Sequence, residues 1–449
     1  MNKYRKERAM ASIQFPSTFS KLLFECRSVF TKPSLRYFEA IIAGILLGRP
    51  KKTVTAAVKL AGLEKKFSNV NRFVSRYRWD ATALGLAVLQ LLLKALKLTT
   101  GDSITMALDS TFLAKFGSKI FGCGYHFNYA RKHNLPSYIW GHDWLVLGLL
   151  YFSTFFDKWL CFPFLAQLFV PAKYLPKNQD YRSSIEIASE MILNVKEHIK
   201  QKLILVADGY FAKKTLLQTC IQNNITLISR LQSNAALYLL PVKNPQRKRG
   251  RPRKYGQRLA PLKELAKNNN GFENLEIKLY GKKRKLRVKR IDALWKPAAQ
   301  VIQVLMVFYE NQKKPAFFFS TDLKMSIADI LTRVAARWSL ENLFKDIKEH
   351  LGWTHWQCRV EKAVKRSATL TCSAASLLML WSHQQASQKQ PEFWDVLPWY
   401  SKKASPSFKD MLEQLRCHII DNTFLTLKQS GQTMAENEQV FRALLKLAA

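Results

Sequence analysis

Leu203-Ile204-Leu205-Val206-Ala207-Asp208 is an apolar run stopped by an acid. A run this short, ended by a polar residue, reads as a buried strand whose C-terminal edge presents a carboxylate. Working outward, residues 183–199 carry the apolar spacing of an amphipathic helix, residues 213–222 read as a helix and residues 225–231 as a strand. Strands and helices therefore alternate here as in an α/β core. Ile104-Thr105-Met106-Ala107-Leu108 repeats the opening pattern and is expected to close at Asp109, followed by Ser110-Thr111. Carboxylates at two strand ends can meet at one edge of a sheet.

A third carboxylate belongs to a helix. Residues 327–351 carry Arg337-Trp338-Ser339-Leu340-Glu341, and Lys348 follows. Arg337 lies four positions before Glu341 and Lys348 seven after it, so the three share one stripe. The apolar stripe Leu340, Phe344, Ile347 and Leu351 is offset by about 100°, one helical residue. Glu341 is thus expected at the border of the core, reaching inward while the two cations stay in water. Three oxygen ligands with no cysteine or histidine set beside them favour Mg²⁺ or Mn²⁺ over zinc. Two such ions about 4 Å apart can activate a water or a 3′-hydroxyl and stabilise the leaving oxygen at a phosphodiester. Read singly, Asp109 and Asp208 equally suit a helix N-cap or a turn after a strand, and Glu341 suits a pair with Lys345. Asp102, Asp143 and Asp322 are rival carboxylates.

The charge balance names the partner of such a site. Among 449 residues, 71 Lys and Arg stand against 32 Asp and Glu, a formal charge of +39. The compact state repels itself unless a polyanion is near, and nucleic acid is the obvious one. A hydrophobic fraction of 48% excludes a largely disordered chain. The longest apolar runs, residues 144–156 and 159–170, fall short of the roughly 20 residues of a membrane-spanning helix, and the second contains Pro163. We read them as buried strands and a helix. The charged first ten residues show no signal-peptide pattern, so the protein is expected to stay where it is made. Seven scattered cysteines without a CxxC pair suit reduced thiols. Cys123, His126 and His133, or His350, His355 and Cys358, could be imagined as zinc sites, but neither set has a recognised ligand spacing.

Residues 1–100 read as helical, with periodic apolar stretches at 19–30, 37–47, 54–60 and 81–98. Between the last two, residues 69–79 interleave bases with aromatics, which suits either a DNA-binding helix or a bundle with a solvated basic face. From 232 to 297 the pattern changes to a basic, β-rich insertion with alternating runs at 275–280 and 285–295 around Gly281-Lys282. Strand candidates at 301–309 and 316–320 return the chain to the core, residues 364–383 form a helix with a small-residue apolar face, and 386–449 end as a helical segment.

Arg337, Glu341 and Lys348 match in type and spacing the Y-x2-R-x3-E-x6-K signature of the DDE transposases of bacterial insertion sequences, which this chain resembles, above all insertion sequence family four and its relatives. The tyrosine position falls on Val334, a departure. Leu108-Asp109-Ser110-Thr111 and Val206-Ala207-Asp208-Gly209-Tyr210-Phe211 look like that family's first and second aspartate boxes. The resemblance covers residues 100–385. It implies a ribonuclease H-like core made of residues 101–231 and 298–385 and interrupted by the β-rich insertion, while the helical candidate DNA-binding domain of residues 1–100 is similar only in being helical and basic. It implies that Asp109, Asp208 and Glu341 are catalytic and hold Mg²⁺ or Mn²⁺, while Arg337 and Lys348 contact phosphates of the transposon end. Its partners would be terminal inverted repeats and target DNA, bound as a homodimer in a bacterial cytoplasm in association with the nucleoid.

Arg249-Gly250-Arg251-Pro252 resembles the AT-hook core, in which paired arginines lie in an A·T minor groove. The other reading is a basic loop that neutralises phosphates; on either, Arg249, Arg251, Arg253 and Lys254 are expected to touch DNA. Two alternatives stand beside a transposase: a ribonuclease H-like nuclease that does not transpose, and a non-catalytic DNA-binding protein descended from one.

Overall fold

The computed structural model describes residues 15–48, 51–127, 136–241, 253–310, 312–388, 403 and 405–430. Helices come first: α1 (Ser17–Glu25), α2 (Lys32–Leu47), α3 (Val54–Leu60), α4 (Phe67–Ser75) and α5 (Ala81–Ala95). Thr53 and Asp80 start α3 and α5 by accepting the Ala56 and Ala83 N–H groups, the standard satisfaction of a free helix start. The interleaved segment around α4 divides by chemistry. Phe73 and Trp79 turn inward and stack at 5.1 Å, whereas Arg72, Arg76 and Arg78 stay exposed.

Four strands follow: β1 (Ser103–Ala114), β2 (Gly124–Phe127), β3 (Tyr138–Ser153) and β4 (Lys158–Phe169). Both long apolar runs are strands, so the helix expected in that region is not there. Pro163 lies where the β3–β4 register shifts by one residue between Leu147 and Gly148. A bulge is a place where a strand tolerates a residue without an N–H, which resolves the conflict. Then come α6 (Ser184–His198), β5 (Lys202–Ala207), α7 (Lys214–Gln222), β6 (Thr226–Arg230) and β7 (Leu237–Tyr238). A short α8 (Leu262–Leu265) precedes β8 (Glu273–Leu279), β9 (Lys282–Trp295), β10 (Gln300–Tyr309) and β11 (Ala316–Ser320). The last described elements are the helices α9 (Ile327–His350), α10 (Glu361–Gln388) and α11 (Phe408–Ser430).

The strands form one mixed 11-stranded sheet in the order β2-β3-β1-β5-β6-β11-β10-β9-β7, with β4 beside β3 and β8 beside β9. β1, β5 and β6 run parallel, with β2 to β4 and α6 between β1 and β5 and α7 between β5 and β6, while β3, β4 and β8 to β11 pair antiparallel. The strands expected in an insertion thus extend the same sheet, because β7 and β8 pair β9, β9 pairs β10, β10 pairs β11 and β11 pairs β6.

α9 covers one face of this sheet. Ile330 and Leu331 of α9 pack with Val206, Ile228, Leu305 and Phe318 in a compact apolar cluster. Ser326 caps its start by accepting the Asp329 N–H at 3.0 Å, and Gly352 takes the left-handed conformation, φ 61°, just past its end. The apolar stripe is as spaced in the sequence: Leu340, Phe344, Ile347 and Leu351 are all buried. α10 is buried on nearly all sides rather than along one face. It packs on β4 and on the N-terminal helices in a single large core shared by both.

Candidate active site

The parallel β1–β5 ladder ends at the pair Leu108–Ala207, so Asp109 and Asp208 are the next residues on two adjacent strands. Asp109 does not close its strand: β1 runs on to Ala114, paired with β3 alone. The aspartate stands where β1 loses one neighbour, and the apolar pattern before it ended with the burial and not with the strand. Asp109 accepts the Ser110 N–H at 2.8 Å. Asp208 leads into a short 3-10 turn, Gly209–Phe211, and accepts the Tyr210 N–H at 3.4 Å. Its capping role and its place at the sheet edge coexist.

α9 crosses this edge and is keyed to β1 by Arg333, whose Nε donates to Thr105 Oγ1 at 3.2 Å. One turn later Arg337 meets all three acids. Its guanidinium forms an ion pair with Asp109, reaches Glu341 at 2.8 Å and stands 3.9 Å from Asp208. Arg337 was expected in water, yet its side chain is only 15% exposed, because the acids turn it inward. Glu341 pairs with Arg337, four residues before it, and not with Lys345. The side chains of Glu341 and Asp208 are 31% and 47% exposed, so a ligand can reach them, whereas Asp109 at 15% lies at the floor.

The electrostatics follow from that floor. Burial pushes the Asp109 carboxyl up to about 6, against the pull of Arg337 and with help from the charges of Glu341 and Asp208. Asp143 belongs to the same field. Burial and the charge of Asp109 push it up to about 6, with Lys348 opposing. Lys348 is half-buried, its ammonium is lowered by burial, and Asp143 is the acid that steadies it. Of the rival carboxylates, Asp143 alone feels the site: Asp322 pairs with Lys202 at the opposite end of β5 and Asp102 accepts from Thr99.

The donor set is all oxygen, and a buried, charge-crowded carboxylate flanked by two more reachable ones suits a hard divalent cation. As the chain stands, Arg337 supplies the compensating charge, and no group of three or more His, Cys, Asp or Glu among the described residues is drawn together to hold a metal. That holds for His350, His355 and Cys358 as well; the other imagined zinc set includes His133, which lies outside the described residues.

A cavity of about 420 Å³ opens from Asp208 along α9, lined by Arg337, Trp338, Tyr280, Arg284 and Tyr309. Val334 lies on its wall, half-buried among the apolar contacts of α9. Tyr280 sits in the two-residue turn between β8 and β9, where Tyr280 and Gly281 both have positive φ, 53° and 74°. Its phenol is raised by burial and feels Arg337 and Glu341. Sequence reading passed over Tyr280 and Arg284; the signal was an aromatic at the tip of a strongly basic hairpin. Arg249 and Arg251 lie outside the described residues, while Arg253 and Lys254 are exposed.

Comparison with known proteins places the chain in a family. The family model described as DDE superfamily endonuclease matches residues 27–288, which include Asp109 and Asp208. A second model, for archaeal transposases of the ISC1217 kind, matches residues 290–384, which include Arg337, Glu341 and Lys348. The protein named probable transposase for insertion sequence element IS701, from Microchaete diplosiphon, is 24% identical over 219 residues, 48% of this chain and 54% of that protein. The match therefore spans about half the length of this curated relative.

Proposed function

Because the chain belongs to the DDE superfamily endonuclease family, we propose that it is a DNA transposase that cuts at the ends of its own element and joins the freed 3′-hydroxyls to target DNA. The observation that carries this is the convergence of Asp109, Asp208 and Glu341 on one guanidinium where the β1–β5 ladder ends. The order β4-β3-β1-β5-β6, antiparallel on one side of β1 and parallel on the other, supports a ribonuclease H-like core with its acids at the central strands.

In this reading Asp109, Asp208 and Glu341 hold Mg²⁺ or Mn²⁺. Such an ion, when bound, activates the attacking hydroxyl and stabilises the leaving oxygen. Asp109 fixes the floor of the site, and the more exposed Asp208 and Glu341 face the substrate. Arg337 neutralises the acids in the DNA-free chain and turns to a phosphate when they are otherwise engaged. Lys348, held by Asp143, adds a second cation for the same strand. Residues 1–100 act as a DNA-binding unit, and the basic stretch around Arg249, Arg251, Arg253 and Lys254 holds the duplex of the terminal inverted repeat. A homodimer brings two ends together in the bacterial cytoplasm, at the nucleoid. Among the described residues no helix is long and apolar enough to cross a membrane.

The test uses the purified chain, Mg²⁺ or Mn²⁺, and DNA carrying the sequences that flank its coding region. Cleavage at those boundaries is expected, with Asp109→Ala, Asp208→Ala and Glu341→Ala each lowering it by about 10³-fold or more while DNA affinity stays within a few-fold. Cleavage that persists in all three variants would show that other groups do the chemistry. Cleavage without joining would leave a nuclease that does not transpose.

A further inference from the structure

Asp208 stands between two cavities. The first, already described, is walled by Arg284, Arg337 and the rings of Tyr280, Tyr309 and Trp338. The second, about 700 Å³, opens on the other side of Asp208 and shares with the first only that acid and Arg230. Its wall differs in kind. Lys213 comes from the lead-in to α7, Lys263 from α8 and Lys314 from the turn between β10 and β11. Three separate segments of chain thus each place a lysine on one concave surface. All three are exposed, none takes part in an ion pair among the described residues, and Asp208 is the only acid on the wall. Glu264, the acid nearest in sequence to Lys263, pairs instead with Lys267 at 2.7 Å.

Lysine ammoniums are strongly hydrated point charges that hold a phosphate backbone without the planar fork that reads a base or a fixed oxygen pair. Arginines beside aromatic faces are better suited to a defined strand end. Joining requires two different DNAs at the same acid: one bearing the 3′-hydroxyl, one bearing the phosphodiester it attacks. In that step the hydroxyl oxygen bonds to the target phosphorus, the target's own 3′-oxygen leaves, and the proton given up by the first is balanced by the one the second takes up. We propose that the lysine-walled cavity holds the backbone of target DNA, without regard to its sequence, while the aromatic cavity holds the end of the element. This inference rests on the transposase reading and assigns the two substrates to opposite sides of Asp208.

The test is the triple variant Lys213→Gln/Lys263→Gln/Lys314→Gln in the full chain, assayed for cutting an uncut end and for joining a pre-cut end to a supercoiled plasmid. Cutting is expected to stay within about twofold of the parent, whereas joining falls by about tenfold or more and its slope against log salt becomes shallower by roughly three. The triple Lys→Arg variant should restore joining, which a folding defect would not permit. Cutting and joining that fall together, joining that does not fall, or joining that the arginines fail to restore would each overturn the assignment. A parent chain that cuts no end under any condition overturns the transposase reading itself, a separate and recognisable failure.

Discussion

At the scale of the residue, the site is a contest for Arg337. Three carboxylates surround it, and its removal leaves them facing one another over a buried floor. Arg337→Ala is therefore expected to lower stability by about 1–3 kcal/mol without metal, and Mg²⁺ should recover more of the thermal midpoint in the variant than in the parent. A loss that Mg²⁺ does not repair would mean that Arg337 acts by packing alone. Tyr280 gives a prediction of opposite signs. A tyrosine at φ 53° is strained where glycine is not, so Tyr280→Gly should gain several tenths of a kcal/mol in stability. The same change empties one wall of the cavity beside Arg337, and end cleavage should fall by about tenfold; unchanged cleavage would remove Tyr280 from the site. The three acids were legible in the sequence because each ended or flanked a strong apolar pattern. Tyr280 was not, because it reaches the site through a turn whose position depends on sheet pairing far along the chain.

At the scale of the element, periodicity located most strands and helices to within a few residues, and failed where two physical demands competed. Residues 159–170 hold a proline, so they read equally as a broken helix, yet β4 forms because the bulge absorbs Pro163. That bulge also explains a glycine. A Cβ at Gly85 of α5 would meet the backbone carbonyl of Phe164 at 2.3 Å, so α5 lies against β4 with no room for a methyl. Alanine improves helix propensity by about 1 kcal/mol, but here Gly85→Ala should destabilise by about 1–3 kcal/mol, read from chemical denaturation. β3 carries a second test. His142, 3% exposed, contacts the Phe121 carbonyl through Nε2 at 2.9 Å, and burial lowers its pKa from 6.5 to about 4. The unfolded chain takes up that proton first as pH falls. The stability that the neutral His142 contributes should therefore drop between pH 6.5 and 4 by up to roughly 1.4 kcal/mol per unit, while Asp109 and Asp143, raised to about 6, shift stability the other way, so the stability of the parent relative to His142→Gln should fall across that window.

At the scale of the whole molecule, an 11-stranded sheet and a buried α10 bind together segments that the sequence presents as separate regions. Composition could suggest where helices give way to strands, but not that β8 and β9 would lengthen the sheet begun by β1, since pairing partners are not written in local pattern. It also could not show where Arg366 of α10 would lie. That side chain is 4% exposed and over the Trp79 ring at 4.4 Å. It donates to the carbonyls of Phe73, Val74, Tyr77 and Trp79, all in or just after α4. To swing the N-terminal helices away would strand a buried guanidinium and expose four carbonyls at once. Whatever those helices grasp is consequently held at a set distance and angle from Asp109. Under the function proposed above, the chain works as a gauge and not as a tether: the spacing between the DNA those helices hold and the bond that is cut is built in before any DNA arrives.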